Sequence, residues 1–366
     1  MKILYHHRIA SKDGQFVHID EIIRGLTQEG HEVFLVGPPV HENTEFGHDG
    51  GLASKLKAML PKFVYESVEL LYGLVVAKRL HSAIKKYKPD VIYERYNLYQ
   101  PVGVMLAKHH KIPLILEVNA PLKEEREKYY GKLGLPNVAS WTENYVWKNA
   151  DMVLPVSSVL ADYIRQAEVP EERITVVHNG VREDVLSSFR HKSTDIQDKV
   201  VIGFSGFMHL TCGVEWAIEA IAELGDVLQS LKDKAESLGV LDKVTFHGLV
   251  ERDKIFDYVQ RFDIAIQPDV TDYASPLKMF EYMAVKSLII APKKPNIEEI
   301  LQDKCAIFFE PNKPEAFKSV LVDALRDIDT HVDKREAVYK RMWRKRFTWN
   351  ENARRIVNIA QKLITK

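Results

Sequence analysis

Cysteine is nearly missing: Cys212 and Cys305 are the only two in 366 residues. Two are too few for a disulfide framework or a cysteine metal cluster, so a reducing compartment is expected. An excess of either charge is missing too, with 51 Lys+Arg against 51 Asp+Glu and a formal net charge of +0. No global field then recruits nucleic acid or a bilayer, and contact with a membrane has to be local. No apolar run is long enough to cross a membrane, and the chain opens directly on the strand-like Lys2-Ile3-Leu4-Tyr5 with no signal peptide, which makes the cytoplasm the expected location. Tandem repeats and low-complexity stretches are absent as well. So is an Asp-x-Asp at a strand end: Asp327-Ile328-Asp329 falls in a helical region and is expected to face solvent. No metal and no other cofactor is expected.

What remains is 46% apolar and 28% charged, a soluble globular composition, in a chain long enough for about two domains. Short apolar strands alternate with helical periodicity, which predicts parallel sheets and an α/β fold. The first series has strands at Lys2–His6, Val33–Pro38, Asp90–Tyr96, Leu114–Val118, Met152–Ser157 and Ile174–Val177. A polar turn, Ser11-Lys12-Asp13-Gly14-Gln15, leads into a helix carrying Ile19, Ile22, Ile23 and Leu26. The polar stretch from Arg182 to Asp198 is the expected linker. Strands at Lys199–Gly206, Val244–Val250, Asp263–Pro268, Leu288–Pro292 and Ala306–Phe309 form a second series. Residues 52 to 90 are expected to be helical, with Lys55, Lys57, Lys62, Lys78, Arg79, Lys85, Lys86 and Lys88 interleaved with Leu56, Leu60, Phe63, Leu70, Leu71, Leu74 and Val75. That pattern fits a helix lying on the inner face of an anionic membrane, and equally a solvated basic helix.

The stretch most suggestive of chemistry is Ser275-Pro276-Leu277-Lys278-Met279-Phe280-Glu281-Tyr282-Met283-Ala284. Ser275 is suited to cap a helix whose first position is Pro276, with Leu277, Phe280 and Ala284 on one face. The open amides of a helix start favour a phosphate, and Lys278 adds a full charge there. Glu281, one turn on, can grip ribose hydroxyls; the alternative is an ordinary surface ion pair between Lys278 and Glu281. Polar residues at strand ends, Glu94, Arg95 and Asn119, are pocket or turn residues, because open α/β sheets bind ligands at that edge. His6, His7 and His18 lie near the first loop and are read as structural or acceptor-contacting, without a metal-ligand spacing.

The order His178-Asn179-Gly180-Val181, Gly203-Phe204-Ser205-Gly206, Phe246-His247-Gly248-Leu249-Val250 and then Ser275 to Ala284 resembles family 4 of the glycosyltransferases. Tyr93-Glu94-Arg95-Tyr96 and Glu117-Val118-Asn119-Ala120-Pro121 resemble a bacterial subgroup of it. The resemblance implies a GT-B fold: two doubly wound Rossmann-like domains facing a central cleft, 1–185 for the acceptor and 199–346 for a nucleotide-sugar, with 347–366 crossing back to the first. It also implies metal-independent transfer of a sugar, with retention, from a nucleoside-diphosphate sugar to a glycan, lipid-linked or other hydroxyl acceptor. Lys278, Asn119 and His209 are the implied catalytic positions, and Glu94, Arg95 and His18 would touch acceptor. Gly14, Gln15, Gly206, Leu249, Val250, Asp272, Tyr273, Ser275, Pro276, Leu277 and Glu281 would hold the donor.

The chain departs from the family pattern at three places. Tyr273 stands where the first of two paired glutamates is expected, with Asp272 beside it; Phe207 and Cys212 replace a basic pair; and Asn119 replaces a histidine. A non-catalytic subunit of the same fold and a sugar-nucleotide epimerase are the rival readings. A nicotinamide dehydrogenase is disfavoured, because Gly203-x-x-Gly206 lacks the dinucleotide spacing.

Overall fold

The computed structural model describes residues 1–10, 14–38, 60–188, 200–206, 236–237, 239, 241–248, 250–251 and 254–365. The chain divides into two compact units, Met1–His178 with Trp349–Lys366, and Asn179–Thr348.

The first unit is built on five parallel strands, β1 (Lys2–His6), β2 (Glu32–Val36), β3 (Val91–Arg95), β4 (Leu114–Val118) and β5 (Met152–Pro155), in the order β2-β1-β3-β4-β5. Ile3, Leu4, Ile92, Ile115, Leu116 and Val153 have no exposed surface, as expected where helices cover both faces of a parallel sheet. Register sets the polar ends side by side: His6 opposite Glu94, and Arg95 opposite Glu117. The helices are α1 (Gly14–Gln28), α2 (Lys62–Tyr87), α3 (Val102–His110), α4 (Leu122–Tyr130), α5 (Pro136–Asn149) and α6 (Ser158–Gln166). Gly14 and Gln15 therefore open a helix rather than form a turn.

The last helix of the chain, Trp349–Ile364, belongs to this unit and lies on α1. The approach is close because position 25 is glycine: a Cβ there would stand 2.9 Å from the Ala353 Cβ and 3.2 Å from the Trp349 carbonyl oxygen. Trp349, Ala353, Ile356, Val357 and Ala360 are buried along that face.

In the second unit, β6 (Ile202–Gly203), β7 (Ile264–Ile266), β8 (Leu288–Pro292) and β9 (Ala306–Phe309) pair in parallel in the order β6-β7-β8-β9. Its helices are α7 (Glu183–Ser188), α8 (Ile255–Val259), α9 (Leu277–Ala284), α10 (Pro295–Glu298), α11 (Pro314–Arg326) and α12 (Val332–Lys345); the returning helix Trp349–Ile364 is α13. Two expected strands are not formed. Of the expected Val244–Val250, residues 244–248 form no strand and pair with none among the described residues. Ile174–Val177 instead hangs on β5 through Thr175 N–H to Val153 O and Val177 N–H to Pro155 O. Asp327 and Asp329 are exposed, as their helical setting suggests.

Candidate functional site

At the C-terminal edge of the first sheet, three sequence candidates, Arg95, Asn119 and His18, meet around a residue that the sequence did not single out. Glu117, near the end of β4, is 2% exposed. Its carboxylate accepts from Arg95 Nη1 at 2.6 Å and Tyr93 Oη at 2.9 Å, from the Asn119 side-chain amide, and at 3.5 Å from Tyr5 Oη. His18 Nε2, brought in by α1, lies 3.3 Å away. Burial alone would raise this carboxyl, but the His18 and Arg95 charges and the hydrogen bonds from His18 and Asn119 outweigh it. Glu117 is held well below the ordinary carboxylate range, a fixed anion. Its charge in turn, after burial itself, pushes the Tyr5 and Tyr93 phenols well above their ordinary value.

The signal for Glu117 was a charge inside the apolar run Leu114 to Val118. In a strand buried on both faces, such a charge needs dedicated partners. Glu94 occupies the neighbouring position on β3, 2% exposed, with its carboxylate 3.3 Å from His6 Nδ1. Gly103, in the first turn of α3, is where that carboxylate lodges, and a Cβ there would overlap it. His7 accepts from Ile9 N–H on Nδ1 at 3.1 Å, which leaves its proton on Nε2. Burial, then the His6 and Arg95 charges, lower its pKa to about 4. Arg95 and His18 are thus inner members of the Glu117 network, while Glu94 faces His6 beside it. Asn119 is the partly exposed one: one amide N–H is committed to Glu117, which leaves a second N–H and the carbonyl oxygen for other partners.

The second unit assembles the opening motif differently from its local pattern. Ser275 does not cap α9: Pro276 is the cap residue, with no side-chain cap bond. The Ser275 hydroxyl instead accepts from the Asn179 N–H at 3.1 Å, while the Asn179 amide donates to the Ser275 carbonyl. Asn179 and Ser275, from two separate motifs of the sequence, are therefore partners in the fold. α9 is buried almost all round, with Glu281 4% exposed, so a surface ion pair between Lys278 and Glu281 is excluded. Lys278 Nζ lies over the Phe204 ring, 3.8 Å from its centroid. Gly206, at φ 139°, gives it room: a Cβ would stand 2.6 Å from Nζ. Tyr282 fixes the same turn, accepting from Ser205 N–H at 2.9 Å.

The loop between β7 and α9 is tied from outside by two residues the sequence did not single out. Lys294 Nζ donates to Asp269 Oδ1 at 2.9 Å and Val270 O at 2.6 Å, and lies 3.0 Å from Asp272 Oδ1. Burial would lower this ammonium, but Asp269 and Asp272 hold it above the ordinary lysine value. Asn296 donates to Thr271 O and Ala274 O at 3.0 and 2.7 Å. Tyr273 is turned inward, 8% exposed, whereas the Asp272 side chain is 65% exposed and ion-paired. Pro276 and Leu277 are half-buried at the helix start, and Val250 is half-buried in its loop. His209 and Leu249 lie outside the described residues. Among the described residues no three His, Cys, Asp or Glu side chains are grouped to hold a metal ion.

One parallel α/β unit following another, with the final helix returned to the first, is the architecture of the GT-B glycosyltransferases, and this chain has that fold. A glycosyltransferase from Rickettsia africae aligns with a TM-score of 0.72 at 18% identity, over 99% of this chain and 98% of that one. Anabaena Alr3699/HepE in complex with UDP and glucose gives 0.69 at 15%, over 99% and 100%. In sequence, the uncharacterized glycosyltransferase MJ1607 of Methanocaldococcus jannaschii is 22% identical over 94% of this chain and 93% of its own length. Residues 12–185 match Glycosyltransferase Family 4 and residues 199–327 match Glycosyl transferases group 1. Between them the two matches take in both units, and the chain is a transferase enzyme of the family 4 type.

Proposed function

We propose that the enzyme moves a sugar from a nucleoside-diphosphate sugar to a hydroxyl of a glycan or lipid-linked acceptor, with retention and without a metal ion. The observation that carries this reading is Lys278, whose ammonium stands at the start of α9 against the Gly206 turn. Charge gathers on the diphosphate as its bond to the anomeric carbon breaks, and a cation with helix-start amides beside it stabilises that charge most in the transition state. The acceptor oxygen bonds to the anomeric carbon on the face the diphosphate leaves, and the departing phosphate oxygen takes the acceptor proton. Asn119, its amide fixed by Glu117, offers a carbonyl oxygen to orient the hydroxyl. Glu281 grips the ribose. The Anabaena protein solved with UDP and glucose makes a uridine diphosphate sugar the first donor to try. We place the enzyme in the cytoplasm, on the inner face of the membrane.

The test is turnover with uridine, guanosine and adenosine diphosphate sugars, after ranking the nucleotides by thermal shift. Retention predicts a first-formed product with the anomeric configuration of the donor by NMR, and transfer should survive excess chelator. Inversion, or loss on chelation restored by Mg²⁺ or Mn²⁺, overturns those parts of the reading. Nucleotide binding without transfer to any acceptor or to water would instead favour a non-catalytic subunit.

A further inference from the structure

The face of α2 turned away from the first unit is built the wrong way round for a solvated helix. Glu66, Gly73, Val76, Leu80, Ala83 and Ile84 are buried inward. On the opposite side Phe63, Val68, Leu71, Leu74 and Val75 are 56, 50, 61, 71 and 43% exposed. From the next turn on, the same side carries Lys78, Arg79, Lys85 and Lys86, all exposed. The interleaving expected from the sequence is not what the described helix shows: its outer face is apolar over three turns, then cationic.

The two carboxylates of the apolar half are both engaged on the inside. Glu66 accepts from Tyr99 Oη at 2.8 Å and from Leu135 N–H at 2.6 Å, and Glu69 takes both Arg126 nitrogens at 2.6 and 2.9 Å. Tyr130, 66% exposed, adjoins the first turn through Lys62 Nζ, which donates to its carbonyl at 2.5 Å.

Direction matters as well. α2 returns the chain from β2 to β3 in a parallel sheet, so it runs against the strands and starts at their C-terminal edge. Arg8, two residues past His6, lies 5.0 Å from the Tyr72 ring centroid, and Gln100 in the loop after β3 donates to Glu69 O. Tyr87, at the far end, stacks on Phe34 of β2. The apolar half therefore lies at the same strand edge as Asn119 and Glu117.

We infer that the outer face of α2 seats the first unit on an anionic lipid surface, with Phe63, Leu71, Leu74 and Tyr130 entering the headgroup and acyl boundary and Lys78, Arg79, Lys85 and Lys86 resting on the headgroups. Apolar side chains with an interfacial tyrosine and a neighbouring basic cluster are the composition such a surface takes. A second copy of the chain is disfavoured by size, because six side chains fall well short of the ~20–30 residues a side of a standard interface. Like charges would also meet like across a two-fold axis placed near Lys78. The seat would bring a lipid-borne hydroxyl to the edge that holds Asn119. The inference deepens the acceptor part of the proposed function, while its test reads binding alone and needs no donor.

The full chain is sedimented with vesicles of phosphatidylcholine, and of phosphatidylcholine mixed with phosphatidylglycerol. The expected result is binding to the anionic vesicles that weakens with salt. Leu71→Ser/Leu74→Ser and Lys78→Gln/Arg79→Gln/Lys85→Gln/Lys86→Gln should each lose ~10-fold or more in vesicle affinity. Every changed side chain is exposed, so both variants should melt with the parent. Absence of binding to either vesicle, or variants that bind like the parent, overturns the proposal. A parent dimer that the Leu71→Ser/Leu74→Ser variant abolishes assigns the face to a second copy instead. A variant that melts early with no vesicle binding in the parent assigns the face to packing within the chain instead.

Discussion

Removal from water can be overcome at one carboxylate and prevail at another, and the first unit holds one of each. Glu117 is kept ionised by His18 and Arg95, so its stabilisation is fully present above the unfolded carboxylate pKa and is lost progressively as pH falls from there through its lowered folded value. Replacing it by Gln leaves the Arg95 guanidinium, 6% exposed, facing a neutral group. Loss of one partner from a buried pair costs about 3–5 kcal/mol, and urea unfolding of Glu117→Gln at neutral pH should show a loss of that order. Glu143 is the opposite case. Burial, only partly offset by hydrogen bonds from Tyr96 Oη and Lys123 N–H, raises its pKa to about 7. Between the unfolded value and about 7 the folded chain binds a proton that the unfolded chain does not, so this group's contribution falls as pH rises. Glu143→Gln, which keeps an acceptor for Tyr96, should remove that slope. The stability difference between parent and variant should change by on the order of 3 kcal/mol from pH 4.5 to 7.5. A difference that stays flat across this range would show Glu143 ionised in the fold.

The element that separates binding from rate is α9 with the loop before it. Lys278 meets charge that grows during transfer, so Lys278→Ala should lower kcat by ~10²–10³-fold with little change in nucleotide affinity. Glu281→Gln should instead weaken nucleotide binding by ~1.5–3 kcal/mol and leave the bound complex nearly as fast. Calorimetric titration with UDP beside steady-state turnover checks both; unchanged affinity and rate in two folded variants would return α9 to scaffold. The strand, the loop and the helix were legible because the apolar runs Asp263–Pro268 and Met279–Ala284 are local signals. The Ser275 cap was misread because its hydroxyl is claimed by Asn179, 96 positions away, and no local rule sees such a partner. Lys294 and Asn296 follow β8 in an ordinary Lys-Lys-Pro-Asn turn, and only the fold brings them to the β7–α9 loop. Val244–Gly248 has strand-like composition, yet a strand exists only where a neighbour accepts its backbone bonds. In α2 the sequence showed the right residues, while their division along the axis needed the buried face to be known.

At the scale of the molecule, chain order and fold order disagree, since the first unit is closed by the last helix. Residues 1–178 hold all five strands of that unit, but α13 covers α1 with Trp349, Ala353, Ile356, Val357 and Ala360. Without it the His18 and Gly25 face of α1 is bared. Burying a large apolar side chain contributes ~1.5–3 kcal/mol, so losing Trp349, Ile356 and Val357 together removes about as much as the ~5–15 kcal/mol net stability of a domain. Residues 1–178 alone should therefore be unfolded or molten. The cut ends nevertheless lie together: the Asn352 amide donates to His178 O at 2.7 Å in the first unit, and Val181 N–H donates to Phe347 O at 3.1 Å in the second. Joining residue 178 to residue 349 through a short glycine-serine link should then give a chain that folds as the first unit, and residues 179–348 should fold as the second. Cooperative urea transitions and dispersed amide NMR spectra for both pieces, against a collapsed spectrum for 1–178, are the expected result. If the joined chain is as disordered as 1–178, α13 is not what completes the first unit.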